Sequence, residues 1–254
     1  MCTLALYFQM LDECPLIVAA NRDEHYDRAS AAPGLYGSNP AIFAGKDLLA
    51  GGTWLGVNEY GLLVGILNRR LTSEQAVPTN TRSRGLFCLD LLALQSAADA
   101  REFVRVHQAS YQPFTVVFAD SREAWAAYNV QREIKGHRLG RGLHVFSNTA
   151  EYDAQSEKLD RAYRQFSQLT DEFRSNPCDG AFWMRSLAKV LGDHTLSDGS
   201  TDPRDAICVH GDISGTVSSS IIFYEQSEKR FHNYYSPGPP CRTPFGEALT
   251  FDVR

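Results

Sequence analysis

A chain of 254 residues, 43% apolar and 22% charged, is long enough to bury a core without covalent staples and has ordinary globular composition. Its net charge of −5, with 25 Lys and Arg residues scattered along the chain, excludes the basic patch that a nucleic acid or an anionic membrane surface requires. No apolar stretch approaches the roughly 20 residues of a membrane-spanning helix. The N-terminus lacks the basic segment and cleavage site of a secretory signal. A cytoplasmic protein is therefore expected, with no transmembrane segment and no nucleic-acid partner. The six cysteines, Cys2, Cys14, Cys88, Cys178, Cys208 and Cys241, stand far apart with no C-x-x-C pair, so neither a metal site nor a disulfide framework is expected.

The first two apolar runs, residues 2–8 and 15–20, are separated by Leu11-Asp12-Glu13-Cys14-Pro15. Pairing them about a turn centred near Asp12 sets Cys2 opposite Arg22. Residues 29–52, broken by Pro33, Gly34, Gly37, Pro40 and Gly45, read as loops and short extended pieces. Gly51-Gly52-Thr53-Trp54-Leu55-Gly56 leads into a hairpin of two strands, Thr53 to Asn58 and Leu62 to Leu67, with Gly61 in the turn. Asn68 closes the second strand.

Ser83 to Ala97 carries apolar residues on most faces and predicts a largely buried helix, followed by a second over Ala98 to His107. Strands are predicted over Phe114 to Ala119, Ala124 to Val130 and Leu143 to Phe146, the last running into Ser147-Asn148. Helices follow over Asp153 to Leu169, from the three- and four-residue spacing of Leu159, Ala162, Tyr163, Phe166 and Leu169, and over Gly180 to Leu191, stopped by Gly192. Ala206 to His210, Ser218 to Tyr224 and Arg230 to Tyr235 predict strands, and the Pro-rich tail predicts irregular structure. No βαβ alternation, G-x-G-x-x-G, P-loop or internal repeat is present, so no cofactor is expected. Strands at both ends of the chain around two helical blocks predict an α+β fold of antiparallel sheets in a single domain spanning residues 1–254.

Cys2 stands out chemically. Removal of Met1 would leave a thiol and a free α-amine on one residue. With a reference pKa of roughly 7.7–8.0 the amine is partly neutral near pH 7 and can take the thiol proton. A neighbouring Arg22 would raise the thiolate fraction, and Asp23 would orient the ammonium form. The side-chain amide of Asn148 is a suitable donor to the oxyanion of a tetrahedral intermediate.

Met1-Cys2, Ala20-Asn21-Arg22-Asp23-Glu24, Gly51 to Gly56, Asn68, Ser147-Asn148 and Cys208-Val209-His210-Gly211 resemble, in that order, the NRDE-motif family. These are the transport and Golgi organisation proteins and their bacterial relatives. That family in turn resembles the N-terminal nucleophile hydrolases, particularly the cysteine branch of bile-salt hydrolases and penicillin V acylases. The resemblance implies a four-layer αββα sandwich with Cys2 as nucleophile, Arg22 and Asp23 at the electrostatic positions, and Asn148 and Asn68 near the oxyanion. The hydrolases space Arg and Asp as R-x-x-D, whereas here they are adjacent, and Val217 follows Gly215-Thr216 where their pattern has an Arg. Catalytic roles are thus expected for Cys2, Arg22, Asp23 and Asn148, and substrate contact for Asn21, Trp54 and Asn68. The expected function is a hydrolase of C–N bonds other than peptide bonds, or an acyltransferase, acting on a small-molecule amide or thioester. The alternative is a non-catalytic carrier of haem or a lipid-like acyl compound on the same fold.

Overall fold

The computed structural model describes residues 3–69, 81–107, 110–130, 133–148, 156–176, 179–196 and 198–254. In chain order the strands are β1 (Thr3–Phe8), β2 (Leu16–His25), β3 (Ser30–Tyr36), β4 (Ile42–Asp47), β5 (Leu55–Asn58) and β6 (Leu63–Asn68). Helices α1 (Arg84–Leu92) and α2 (Ala97–Val106) precede β7 (Phe114–Ala119), β8 (Ala124–Val130), β9 (Glu133–Leu139) and β10 (Gly142–Ser147). The rest comprises α3 (Glu157–Gln168), α4 (Thr170–Ser175), α5 (Gly180–Leu191), β11 (Ser214–Glu225), β12 (Arg230–Ser236) and β13 (Leu249–Asp252). These elements form two compact units. The first comprises Met1–Asp27, Arg141–Ser147 and Gln155–Asp252, and the second Arg28–Gly140, Asn148–Ala154 and Val253–Arg254.

The first unit is built on a six-stranded antiparallel sheet in the order β10-β1-β2-β11-β12-β13. The near-continuous apolar runs of β1 and β2 suit central strands, and all six residues of β1 are buried. Pro15 precedes β2 and so removes no ladder hydrogen bond; its carbonyl accepts from Gln9 N at 2.7 Å. One face of the sheet carries α3, α4 and α5 through a core that includes Ala5, Tyr7, Ile17, Ala19, Phe166, Trp183 and Leu187. The Tyr7 hydroxyl donates to the Phe166 carbonyl at 2.6 Å. Helix starts are set by side chains. Ser156 Oγ accepts from Leu159 N at 3.1 Å, and Asp179 Oδ1 accepts from Phe182 N at 2.8 Å.

The second unit is a seven-stranded meander, β3 to β9 in sequence order, with every pairing antiparallel. Helices α1 and α2 pack on it through Phe87, Leu91, Leu92 and Val104 against Val64, Phe114, Val116 and Phe118. The expected β5–β6 hairpin is present, with Val57 opposite Leu63 and Gly61 at φ +87° in the turn. Asn58 ties that turn to the helices. Its Nδ2 donates to the carbonyls of Leu92 and Leu94, and its Oδ1 accepts from Tyr60 N and Leu62 N.

Several expectations are corrected. The extended pieces expected within residues 29–52 are two paired strands, β3 and β4, with less loop than the sequence suggests. Pro33 is tolerated because β3 is an edge strand with a bulge between Ala31 and Gly34. Strand β9, rich in charge, and β13, in the Pro-rich tail, are also edge elements whose pairing supplies what their sequence pattern does not signal. The helix predicted over Ser83 to Ala97 stops at Leu92, and Ser96 caps α2 by accepting from Asp99 N at 3.1 Å. Ala206 to His210 form no strand beyond one bridge between His210 and Gly215. Their backbone groups are taken elsewhere: Cys208 N donates to Asp193 O at 2.8 Å, and Val209 N to the Thr216 side chain at 2.9 Å. The early part of the helix predicted over Asp153 to Leu169 lies outside the described residues, and α3 begins at Glu157.

Candidate functional site

The register of β1 and β2 follows the sequence reading. Thr3 lies opposite Asn21, and the pairs step regularly to Phe8 opposite Leu16. That is the register in which Cys2 faces Arg22; Cys2 itself lies outside the described residues. The polar cluster sits inside β2 rather than beyond its end, where β11 flanks it: Asn21 pairs with Ser219, Arg22 with Ser218 and Asp23 with Thr216. A bulge between Thr216 and Ser218 leaves Val217 as the extra residue, and its side chain is half-buried.

Strand alternation divides this cluster. Asn21 and Asp23 share the face of Ile17 and Ala19, which looks onto the helices, whereas Arg22 points to the opposite face. All three are buried. Asn21 is a clasp: its Nδ2 donates to Leu191 O at 2.9 Å and Ile207 O at 3.0 Å, and its Oδ1 accepts from Ser219 Oγ at 2.6 Å. Leu191 ends α5, so this amide satisfies one of the carbonyls that a helix C-terminus leaves without an internal partner. Asp23 Oδ1 accepts from Thr216 Oγ1 at 2.6 Å. Burial pushes the Asp23 carboxyl above its ordinary range, assisted by the negative charge of Glu24 and opposed by Lys158 and the Thr216 hydrogen bond. Lys158, itself buried on α3, donates to Arg204 O at 3.2 Å.

Trp54 and Asn68 belong to the second unit and lie at the same open end of the β5–β6 hairpin. The Trp54 carbonyl accepts from Ile66 N at 2.8 Å, and Asn68 is the last residue of β6, opposite Phe114. Both side chains are half-buried. A Cβ at Gly45 would fall 2.6 Å from the Trp54 indole, so that glycine is where the ring lies down. The Gly-Gly of the 51–56 motif has a packing reason too. A Cβ at Gly52 would meet the backbone carbonyl carbon of Gly85 at 2.2 Å, while Thr53 N donates to Gly85 O at 3.1 Å. Asn148 follows β10 directly, is buried, and its Oδ1 has no hydrogen-bond partner among the described residues.

The structure thus groups Asn21, Arg22 and Asp23 on one strand of the first unit, and Trp54 with Asn68 at one hairpin end of the second. Residues that support the cluster and that sequence reasoning missed are Thr216, Ser219 and Lys158. A lone Thr or Ser carries no signal until its cross-strand partner is known, and Lys158 reads as an ordinary helix-surface residue. The two serines facing Asn21 and Arg22, in Ser218-Ser219-Ser220, were the available hint, because polar residues within an apolar strand need polar partners.

Comparison with known proteins gives the family and the fold. The sequence matches the family profile described as Transport and Golgi organisation 2 over residues 1–234. It is 33% identical over 233 residues to the Transport and Golgi organization protein 2 homolog of Bos taurus, covering 83% of this chain and 82% of that protein. Among solved structures it is similar to a mutant form of conjugated bile acid hydrolase from Clostridium perfringens, with a TM-score of 0.60 at 12% identity over 100% of this chain and 97% of that one. It is similar as well to the Caenorhabditis elegans ortholog of N-acylethanolamine-hydrolyzing acid amidase, with a TM-score of 0.58 at 16% identity over 87% and 92% of the two chains. These likenesses show the fold, the α+β fold of the N-terminal nucleophile hydrolases. No helix among the described residues is long and apolar enough to cross a membrane.

Proposed function

The chain belongs to the Transport and Golgi organisation 2 family, and we propose that it is an N-terminal-cysteine amidohydrolase or acyltransferase acting on a small amide or thioester. The observation that carries this reading is the β1–β2 register, in which Thr3 lies opposite Asn21 and the next residue of β2 is the buried Arg22. In the mechanism, the Cys2 thiolate attacks the substrate carbonyl and the α-amine of the same residue accepts the thiol proton, then returns it to the leaving nitrogen or sulfur. Arg22 favours the thiolate, and Asp23 orients the α-amine. Asn148 and Asn68 are the candidate oxyanion donors and Trp54 a candidate substrate contact. The test is intact-mass spectrometry of the purified protein before and after an acyl electrophile. The expected result is a chain without Met1 that gains one acyl group at Cys2, and none in Cys2→Ala. Retained Met1, or undiminished acylation in Cys2→Ala, refutes the mechanism.

One observation favours a second reading, a non-catalytic carrier of haem or a lipid-like acyl compound. The half-buried Val217 occupies the bulge where the hydrolase pattern has an Arg, which removes a charge from the reaction site. A Soret band on adding haem that disappears in Cys2→Ala would favour the carrier.

A further inference from the structure

Away from the β1–β2 site, the first unit gathers two thiols and two imidazoles at the C-terminal end of α5. Cys208 Sγ and Cys241 Sγ are 3.7 Å apart. His210 Nε2 lies 3.1 Å from Cys241 Sγ and 3.7 Å from Cys208 Sγ. The His194 ring packs edge-on against that of His210 with centroids 5.9 Å apart. One ligand atom from each of His194, His210 and Cys241 falls within 4.8 Å of the others.

The Cys208–Cys241 and Cys208–His210 separations match edges of a tetrahedron around a d10 metal, and the His210–Cys241 separation is shorter than such an edge by about 0.5 Å. Zinc–sulfur bonds of about 2.3 Å put two thiolates of a tetrahedral site about 3.8 Å apart, and zinc–nitrogen bonds of about 2.0–2.1 Å put sulfur and nitrogen about 3.6 Å apart. A disulfide needs its sulfurs at about 2.05 Å and gives no reason for an imidazole nitrogen to sit against both of them. The imidazoles are oriented as ligands are. His210 turns its Nε2 to the sulfurs, and His194 places its Nδ1 3.3 Å from Gly192 O, which leaves Nε2 free to bind.

The supporting chain is shaped for the convergence. A Cβ at Gly192 would lie 3.3 Å from Cys241 N, so glycine after α5 lets the turn that carries Cys241 approach. Cys208 N is held by Asp193 O, and the Cys241 turn is closed by Arg242 N and Thr243 N on Pro239 O. Residues 206–210 are held by single bonds to several partners and one bridge rather than by a strand ladder, and a bound metal would add a further constraint.

We propose that Cys208, Cys241, His210 and His194 form a structural zinc site. It is joined to the candidate active site by two buried links. Ile207, beside Cys208, accepts from the Asn21 amide. Val209, between the two ligands of the Cys-x-His segment, donates to Thr216 Oγ1, which donates to Asp23. Zinc at this position pins the segment against which Asn21 and Asp23 are braced.

The experiment uses the full chain without an affinity tag, purified under reducing, chelator-free conditions, with Zn2+ and Co2+ as probes. Elemental analysis is expected to find one zinc per chain. Co2+ titration of chelator-treated protein is expected to show the thiolate charge-transfer band and the intense d–d absorption of a tetrahedral site. Cys241→Ser and the exposed His194→Gln should weaken Zn2+ binding by more than the 10–100-fold that an outer-shell change typically costs, while Cys2→Ala leaves it unchanged. The His194 variant keeps the test valid should loss of a thiol impair folding. Three outcomes would overturn the site: no stoichiometric zinc, cobalt bound without a thiolate band, or a Cys208–Cys241 disulfide in metal-free protein from the same preparation.

Discussion

Replacing Asn21 tests whether this motif residue builds the site or touches what enters it. The amide makes three buried hydrogen bonds, to Leu191 O, Ile207 O and from Ser219 Oγ. At about 1 kcal/mol net for each bond, Asn21→Ala should cost about 3 kcal/mol, roughly two powers of ten in the folding equilibrium. Asn21→Asp probes the donors separately. A carboxylate can still accept from Ser219 but faces two carbonyl oxygens with no hydrogen to offer, so at pH 7 it should be less stable than Asn21→Ala. Below the ordinary carboxylate range a protonated Asp can donate once, and the difference between the two variants should shrink. Urea denaturation followed by circular dichroism at pH 7 and at about pH 3 measures both effects. An Asn21→Asp variant as stable as Asn21→Ala at pH 7, or an alanine variant within about 0.5 kcal/mol of wild type, would refute the clasp and return Asn21 to a ligand-contacting role.

Two further outcomes follow from the packing. Because burial raises the folded-state pKa of Asp23, the folded protein holds a proton that the unfolded chain releases. Its contribution to stability is therefore greatest below the ordinary carboxylate pKa and is lost as pH rises towards the folded value. Asp23→Asn, which keeps an acceptor for Thr216, should flatten that dependence. Denaturation midpoints across a pH series should show wild type losing ground to the variant as pH rises, and the opposite slope would mean that the charge attracted by Lys158 dominates. Gly52→Ala should destabilise by about 1–3 kcal/mol or more, since its Cβ would meet the Gly85 backbone at 2.2 Å and no flexible side chain is there to yield. A thermal midpoint equal to wild type would show that α1 shifts without cost.

Much of the fold is legible in the sequence where burial is two-sided or periodic. Leu16 to Ala20 and Phe114 to Ala119 announce central strands, and Gly192 marks the end of α5. The β1–β2 register could be counted from the turn because the two runs have matching apolar lengths. Elements that depend on a partner were hidden. Strands β3, β9 and β13 are edges whose residues alternate weakly, and Cys208 to His210 look like a strand because Ile207 and Val209 have strand propensity while their hydrogen bonds go to Asp193 and Thr216. The polar motif was visible, but its division was not: that Asn21 and Asp23 turn to the helices and Arg22 away from them follows from which face of β2 carries Ile17 and Ala19. The Cys–His cluster escaped notice because its members come from three separated segments and only Cys208 and His210 are close in sequence.

The two sheets differ in when their strands are made. Each pairing in the β3–β9 meander joins consecutive strands, so the unit can form while synthesis continues. The other sheet has its two earliest strands at the centre. β1 waits for β10 and β2 waits for β11, which emerge only in the second half of the chain. For most of translation the first strand is one arm of an isolated hairpin, a marginal structure in water, and the residue at its head stays accessible to the enzymes that trim nascent N-termini. The proposed nucleophile, which would exist only after such trimming, is served by a topology that completes this sheet last.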